Sequence, residues 1–454
     1  MSDLVLTQPQ WVAAAILAMT FIGIFTEHYH GIERAKFAMA GAGAIIIAGQ
    51  IFGFYSPDLA IEAIDWNVVF LLGLMMVIVA IMVSTGGFEV LASRLARLGG
   101  RSQLALMLLI SSAVMFLSML LDNVTTVVIF GPLIILICRR LGVSPIPHLL
   151  AAAMLSNIGG VATLVGDPPN LMIGSAAGID FNTFLLHMGP PVLLAWVGML
   201  VALALLFRRE LGATAVGDGA IDATYRHAAL WFKSLAVLGA MVVLFVFHAH
   251  LGWEPWMVAA ACLTLLLFVS RHAELEPAAS QIESSLLMFF ISLFIVIGGV
   301  EHSGLLAVVG DAFRPLIDSS PLMAALALMW AAAIFSALID NIPFTAAMIP
   351  VLSGLQAKGV DVSVLWWALA LGVGLGGNAT HIGATANVYM VTISERLARE
   401  SDDPGLAITP GIWARKGLPA SFVTLLIASL VIWLGYDWLR VDLTAIPHLA
   451  VTGR

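Results

Sequence analysis

Apolar runs of helix length occupy most of the chain and predict membrane-crossing helices. A crossing needs about 20 apolar residues, and several of the runs are shorter. No basic segment or small-residue cleavage site precedes the first run, so we expect it to be retained as the first crossing. The runs lie near 11–26, 35–53, 67–85, 103–121, 124–138, 147–166, 185–207, 231–248, 255–270, 284–300, 321–339, 344–356, 363–380, 383–393 and 418–436.

Polar residues separate some of these runs without leaving room for a loop. Two pairs of runs meet at polar tips and predict re-entrant hairpins over 102–140 and 320–357. Two further pairs, 147–166 with 168–177 and 363–380 with 383–393, each predict one crossing that is broken in the middle. The predicted fold is therefore all-α and integral to the membrane, with ten transmembrane helices, two re-entrant hairpins and two broken helices.

The two halves of the chain resemble each other at the predicted breaks. GGVATLVGDPPN (159–170) aligns with GGNATHIGATAN (376–387) at an offset of 217, with six identical positions. At nearly the same offset LDNVTT (121–126) aligns with IDNIPFT (339–345), and Gly87 with Gly304. Each half holds five predicted crossings, an odd number, so the two copies must run in opposite directions across the membrane, as in inverted-repeat transporters.

Basic residues fix the predicted orientation. With the N-terminus outside, sixteen of the twenty lysines and arginines fall on the cytoplasmic side, which agrees with the positive-inside rule. The first hairpin then opens inward and the second outward, and no lysine or arginine is expected at membrane depth. The predicted units are a first inverted repeat (1–207), a cytoplasmic linker (208–230), a second inverted repeat (231–436) and an extracytoplasmic tail (437–454).

Three carboxylates fall at membrane depth in this arrangement: Asp122 and Asp340 at the hairpin tips, and Asp167 in the first broken crossing. Because a buried charge is expensive in a bilayer, each is a candidate for proton coupling, as is His381 in the second break. Capping is the alternative for Asp122 and Asp167, since Asp is a common N-cap residue, and a hydrogen-bonded wall position is the alternative for His381.

Hydrogen-bonding side chains and glycines surround these carboxylates. Unwound backbone at membrane depth is tolerated only inside protein or beside a wet cavity, so the tips and breaks predict a solute site. The candidate binding residues are Asn123, Thr125, Asn157, Gly159, Gly160, Thr163, Asn170, Asn341, Thr345, Gly376, Gly377, Asn378, Thr380 and Asn387.

Composition removes several other classes of protein. The chain is 61% hydrophobic and 11% charged, which leaves no room for a soluble catalytic domain. Cys138 and Cys262 exclude a thiolate metal cluster, and no lysine follows the glycine that a phosphate-binding loop requires. We expect no cofactor, metal or nucleic-acid partner. A catalytic site in the membrane would not explain an inverted repeat. A passive channel is the other alternative, and concentrative, saturable uptake in proteoliposomes would distinguish a carrier from it.

The motifs SNIGGVATLVGDPPNLMIG (156–174) and LDNVTTVVIFGP (121–132) resemble the ArsB/NhaD permease family of the ion transporter superfamily, over nearly the whole chain. DNVTT and GDPPN resemble the P-protein-like permeases of that superfamily more than they resemble the arsenite permeases. The resemblance implies a secondary transporter of the inner (cytoplasmic) membrane that works by an elevator-like movement around a central site.

The resemblance also implies a cargo. Arsenical members expel arsenite or antimonite, some of them together with a separate ATPase, and the NhaD branch exchanges sodium for protons. We expect proton-coupled efflux of arsenite or antimonite, with sodium/proton exchange as the alternative. The oligomeric state is not readable from the sequence.

Overall fold

A computed structural model describes residues 6–212, 217, 222–270 and 275–441, and these residues form helices and connections without a β-strand. The first half contains α1 (Gln8–Phe25), α2 (Glu27–His30), α3 (Arg34–Phe52), α4 (Pro57–Glu62), α5 (Trp66–Ser84), α6 (Gly87–Gly99), α7 (Gln103–Ser118), α8 (Asn123–Leu141), α9 (Ile146–Gly160), α10 (Pro168–Ala177), α11 (Phe181–Leu206) and α12 (Arg208–Leu211). The second half contains α13 (Ala228–Leu251), α14 (Pro255–Val269), α15 (Leu275–Ala279), α16 (Ser284–His302), α17 (Leu305–Ser319), α18 (Pro321–Leu338), α19 (Asn341–Ala357), α20 (Ser363–Gly376), α21 (Thr385–Glu400), α22 (Pro410–Ile412), α23 (Leu418–Leu434) and α24 (Tyr436–Leu439). The predicted linker and C-terminal tail lie partly outside the described residues.

The lengths and surfaces of the helices suit a bilayer. Within the described ranges, nine helices are long and apolar enough to cross a membrane. Their outer faces carry large apolar side chains, such as Ile51, Phe268 and Leu434, which are 72%, 86% and 75% exposed. Such a surface is stable against lipid and unstable in water. The expectation of an all-α, multi-pass membrane protein is confirmed.

The internal repeat extends to the boundaries of the helices. Helices α15 to α19 each begin 218 residues after their counterparts α4 to α8. Helices α20 and α21 begin 217 residues after α9 and α10. Seven consecutive elements therefore recur in the same order, so the repeated motifs mark a repeated unit. The opposite orientation of the two units across the membrane stays a prediction.

One glycine in the predicted alignment is displaced by one residue. Gly86 and Gly304 each precede an amphipathic helix, α6 or α17, with φ of 77° and 78°. This left-handed conformation favours glycine because it has no Cβ. Gly86, and not Gly87, is therefore the counterpart of Gly304, and the predicted pairing of Gly87 was wrong.

The broken crossings lie at the centre of the protein. Every residue of α9 and of α20 is buried. Close packing against the hairpins requires glycine here: a Cβ on Gly159 would lie 2.1 Å from the carbonyl oxygen of Met115, and one on Gly376 would lie 2.4 Å from the Cα of Ala333. The first break, at 161–167, is buried throughout, whereas in the second break Ile382 is 41% exposed.

Candidate functional site

The two hairpin tips meet at a cavity of about 60 Å³, large enough for a few water molecules. Five charged side chains face it: Arg34, Asp122, Asp167, Glu283 and Asp340. The rest of the wall is formed by the tip amides Asn123 and Asn341, by Leu71, Leu72, Met75, Met76 and Val79 of α5, and by Val124, Leu164, Val165, Pro168, Leu171, Leu286, Ile342, Ala384 and Thr385. Carboxylates from both repeats thus share one small space.

Asp122 occupies the N-cap of α8 and is held by the first turn of that helix. Its Oδ1 accepts a hydrogen bond from the backbone N of Thr125 at 2.9 Å, and its Oδ2 accepts one from the Thr125 hydroxyl. The side chain therefore both caps the helix and faces the cavity.

Asp340 occupies the equivalent position before α19, but its side chain makes no cap hydrogen bond. It forms an ion pair with Arg34 at the start of α3. The Arg34 guanidinium also lies 5.0 Å from the centroid of the Phe289 ring, within the range of a cation–π contact. One charge of the second hairpin is thus neutralised by a helix of the first repeat.

Asp167 precedes α10 and makes no cap hydrogen bond with its side chain, so the structure does not favour the capping interpretation. Its Oδ2 accepts a hydrogen bond from the Nδ2 of Asn341, 3.1 Å away on the opposite repeat. The side chain is buried, and no basic residue within the described ranges pairs with it. Of the three aspartates that face the cavity, Asp167 is the most buried, and its side chain bonds to a single amide.

A chain of amides joins the two repeats beside the cavity. Asn123 donates from Nδ2 to Oδ1 of Asn157 at 3.1 Å. The Nδ2 of Asn157 donates in turn to Oδ1 of Asn378 at 2.8 Å and to Oδ1 of Asn387 at 3.0 Å. All four side chains are buried, so these bonds satisfy polar groups that would otherwise destabilise the core.

The two helix breaks are held by the same bonds in each repeat. Asn170 donates to the carbonyls of Gly160 and Thr163 at 2.9 and 3.0 Å. Asn387 makes the corresponding bonds to Gly377 and Thr380 at 2.9 and 3.0 Å. The hydroxyls of Thr163 and Thr380 donate to carbonyls at the ends of the hairpin helices, those of Met119 and Ala337. These side chains replace the helix bonds that each break removes.

Comparison with known proteins identifies the family. The sequence model described as "Citrate transporter" matches residues 15–372. The chain belongs to the citrate transporter family. It is 35% identical over 435 residues to an uncharacterized transporter of Mycobacterium tuberculosis and 34% identical over 440 residues to a 46 kDa membrane protein of Mycobacterium leprae, in each case covering 94% of this chain and 98% of the relative.

More distant proteins are also similar to this chain. The human P protein is 31% identical over 475 residues, which cover 85% of this chain and 56% of the P protein. The crystal structure of the Alcanivorax borkumensis YdaH transporter aligns with a TM-score of 0.58 at 15% identity, covering 96% of this chain and 100% of that structure. The protein is a membrane transporter and not an enzyme.

The structure separates the predicted site residues of this transporter into two groups. Asp122, Asp167, Asp340, Asn123 and Asn341 face the cavity. Thr125 lines a neighbouring chamber of about 690 Å³, and Thr345 donates to the backbone oxygen of Asn341 at 2.8 Å. The others lie around the breaks and away from the cavity lining: Asn157, Gly159, Gly160, Thr163, Asn170, Gly376, Gly377, Asn378, Thr380, His381 and Asn387. Their role as solute ligands stays a prediction.

Two charged residues of the cavity escaped the sequence analysis. Arg34 directly precedes the apolar run 35–53, and Glu283 directly precedes the run 284–300. Charges at the ends of apolar runs are normally assigned to loops. Because Arg34 pairs with Asp340, the two expectations that Asp340 lies at membrane depth and that no arginine does cannot both hold. The signal that could have indicated Arg34 is the charge of Asp340 at the hairpin tip, since buried charges are usually paired. No comparable signal in the sequence points to Glu283.

The cavity adjoins the larger chamber, which we call the Glu283 chamber. Met76, Val79 and Glu283 line both spaces. The remaining wall of the chamber comes from α5, α8, His227 and the segment 277–281. The cavity therefore lies next to a chamber of several times its own volume.

Proposed function

We propose that this transporter exchanges protons for a small cation, with sodium as the first candidate, at the cavity between the hairpin tips. The observation that supports this most directly is the charge of the cavity, where four carboxylates accompany a single guanidinium. Carboxylate and amide oxygens are the ligands that hard cations prefer. The proposal corresponds to sodium/proton exchange of the NhaD type.

Asp167 is the residue we propose to carry the proton. Asp122 is held by Thr125 and Asp340 by Arg34, whereas Asp167 has only an amide donor. A buried carboxylate without a countercharge is stable when it is protonated or when a cation is bound. Binding of the cation and binding of the proton at Asp167 are then mutually exclusive, so that uptake of one requires release of the other, as an exchanger requires.

Arsenite or antimonite efflux is the second candidate. Arsenous acid is neutral at pH 7, so it needs hydrogen-bonding groups and no countercharge. Asn123 and Asn341 face the cavity and could serve it. The other predicted amides and hydroxyls already bond within the protein, and for this reason the cation is favoured over the arsenical.

The family description also names citrate. A citrate anion would face four carboxylates and one arginine in a cavity of about 60 Å³, so its charge would have to be neutralised by bound cations first. We therefore place citrate third. In all three cases we propose an antiporter of the inner (cytoplasmic) membrane with both termini outside, in which two inverted repeats move by an elevator-like mechanism. Proton coupling requires no ATPase partner.

The test is proton flux in proteoliposomes that hold a pH-sensitive dye. With an acidic lumen, external sodium should raise the lumenal pH in wild type, and potassium, arsenite and citrate should not. Asp167→Asn should abolish the response, while Asp361→Asn, which alters an exposed carboxylate that does not line the cavity, should retain it. If only arsenite or citrate raises the lumenal pH, that solute and not sodium is the cargo. If Asp167→Asn responds fully to sodium, Asp167 is not the proton carrier.

A further inference from the structure

A second chamber, of about 330 Å³, is lined in part by Asp65. We call it the Asp65 chamber. Its charged and titratable lining consists of Asp65, Glu62, Glu301 and His302, with walls from α10, α16 and α19. Neither the family match nor the described cavity accounts for this space.

The two chambers are related by the internal repeat. Met76, Val79 and Ala80 line the Glu283 chamber, and the residues 218 positions later, Phe294, Ile297 and Gly298, line the Asp65 chamber. Val128 of α8 and Ala346 of α19 correspond in the same way. The two spaces are thus formed by equivalent faces of equivalent helices.

The same shift relates their carboxylates. Asp65 directly precedes α5 and Glu283 directly precedes α16, so each occupies the N-cap of the same helix in its repeat. Asp65 caps its helix through Oδ1, which accepts from the backbone N of Asn67 and Val68 at 3.1 and 3.3 Å. Glu283 makes no cap hydrogen bond. Helix capping therefore does not explain why both repeats place an acid here.

The chambers differ in one respect, which is their relation to the cavity. Glu283 faces both its chamber and the cavity. Among the described residues, none of those lining the Asp65 chamber also lines the cavity. The conformation is asymmetric although the two units are equivalent, as expected for one state of a carrier whose repeats exchange conformations.

We propose that Asp65 and Glu283 are equivalent access carboxylates, one for each face of the membrane, and that each faces the cavity only when its own chamber is open to it. This rests on the proposed cation exchange. In the described state the cation binds Glu283 on its way into the cavity, and in the opposite state it binds Asp65. The other charges near the path are Arg34, Asp122, Asp167 and Asp340 in the cavity, and His227 in the Glu283 chamber.

The chain offers a matched control pair. Asp58 and Glu276 are also separated by 218 residues, in the first turns of α4 and α15. Both are exposed and line neither chamber. Asp65→Asn retains a good capping residue, and Glu283→Gln removes no cap, so neither variant is expected to unfold the protein. Gel filtration of each purified variant checks this.

The experiment measures the half-saturation for sodium separately at each face of proteoliposomes. Orientation is assigned with a thiol label on Arg209→Cys, since both native cysteines are buried. Loss of one carboxylate next to the ion should raise half-saturation by about tenfold. Glu283→Gln should do so at one face only and Asp65→Asn at the other face only. Asp58→Asn and Glu276→Gln should match wild type at both.

The outcomes separate the two proposals. Wild type without sodium-dependent proton movement overturns the proposed function. The inference about Asp65 and Glu283 alone is overturned if the wild type moves protons but both variants lose sodium affinity at the same face, equally at both faces, or at neither face. Opposite faces for the two variants, with unchanged controls, support it.

Discussion

The ion pair between Arg34 and Asp340 connects α3 of the first repeat with the second hairpin tip, and its energy can be measured. The side chains are 21% and 17% exposed. The pair is therefore mostly withdrawn from water but not sealed. Replacing one partner leaves the other charge uncompensated beside the cavity. The relevant variants are Arg34→Gln, Asp340→Asn and the double variant.

The expected magnitude follows from this burial. Exposed ion pairs contribute about 0.2–1 kcal/mol, and removing one partner of a fully buried pair costs about 3–5 kcal/mol. With about a fifth of each side chain exposed, each single variant should lower the free energy of unfolding by about 2 kcal/mol. The double variant should lose less than the sum of the single losses, by about 1–2 kcal/mol, because it leaves no lone charge.

The assay is reversible unfolding in mixed detergent micelles, followed by circular dichroism for the wild type and the three variants. Arg440 and Asp361 provide the control cycle: they are 54% and 52% exposed and form two hydrogen bonds at 3.1 and 3.2 Å. Their coupling should stay within the range for exposed pairs. If the Arg34 and Asp340 effects simply add, the two charges do not depend on each other and our description of the site is wrong.

Two further predictions concern the helix breaks and the hairpin tip. Gly159→Ala places a Cβ 2.1 Å from the backbone oxygen of Met115 and should destabilise the protein by about 3 kcal/mol or more. The control is Gly43→Ala, whose Cβ has no atom within 4 Å and which should be neutral or slightly stabilising. Equal melting temperatures for the two variants would show that Gly159 is not required for close packing. Asn341→Ala should weaken cation binding because the Asn341 amide faces the cavity and bonds Asp167. Thr380→Ala should lower the free energy of unfolding by about 1 kcal/mol and leave the half-saturation for the cation unchanged. If flux assays show weakened binding in Thr380→Ala and not in Asn341→Ala, the solute site lies at the helix breaks.

The repeat and the interrupted helices were predictable because they depend on residues with strong local preferences. Asp-Asn before α8 and α19 marks a helix start, and paired glycines followed by Asn mark each break. Such signals act over a few residues and are preserved in both copies. The bounds of α7 and α8, and of α18 and α19, accordingly match the predicted hairpins within a few residues.

The composition of the cavity was predictable only in part, because the sequence does not show which hydrogen-bond donor pairs with which acceptor. Asn170 and Thr163 were assigned to a solute, but a broken helix frees carbonyls and N–H groups that must find partners inside the membrane, and these side chains bond there. Arg34 was counted among the cytoplasmic basic residues and Glu283 was not singled out, because the distance of each from the hairpin tips depends on how α3 and α16 pack. Local patterns cannot supply that distance.

The amide chain through Asn157 constrains which amino-acid substitutions the two halves can accept during evolution. One side chain from the first half serves two partners in the second, Asn378 and Asn387, at 2.8 and 3.0 Å. Replacing Asn157 with an apolar residue removes a donor from both at once, so a tolerated replacement demands matching changes hundreds of positions away. Although built on one plan, the halves are thereby bound to vary together, and related sequences should show joint substitution at these three positions.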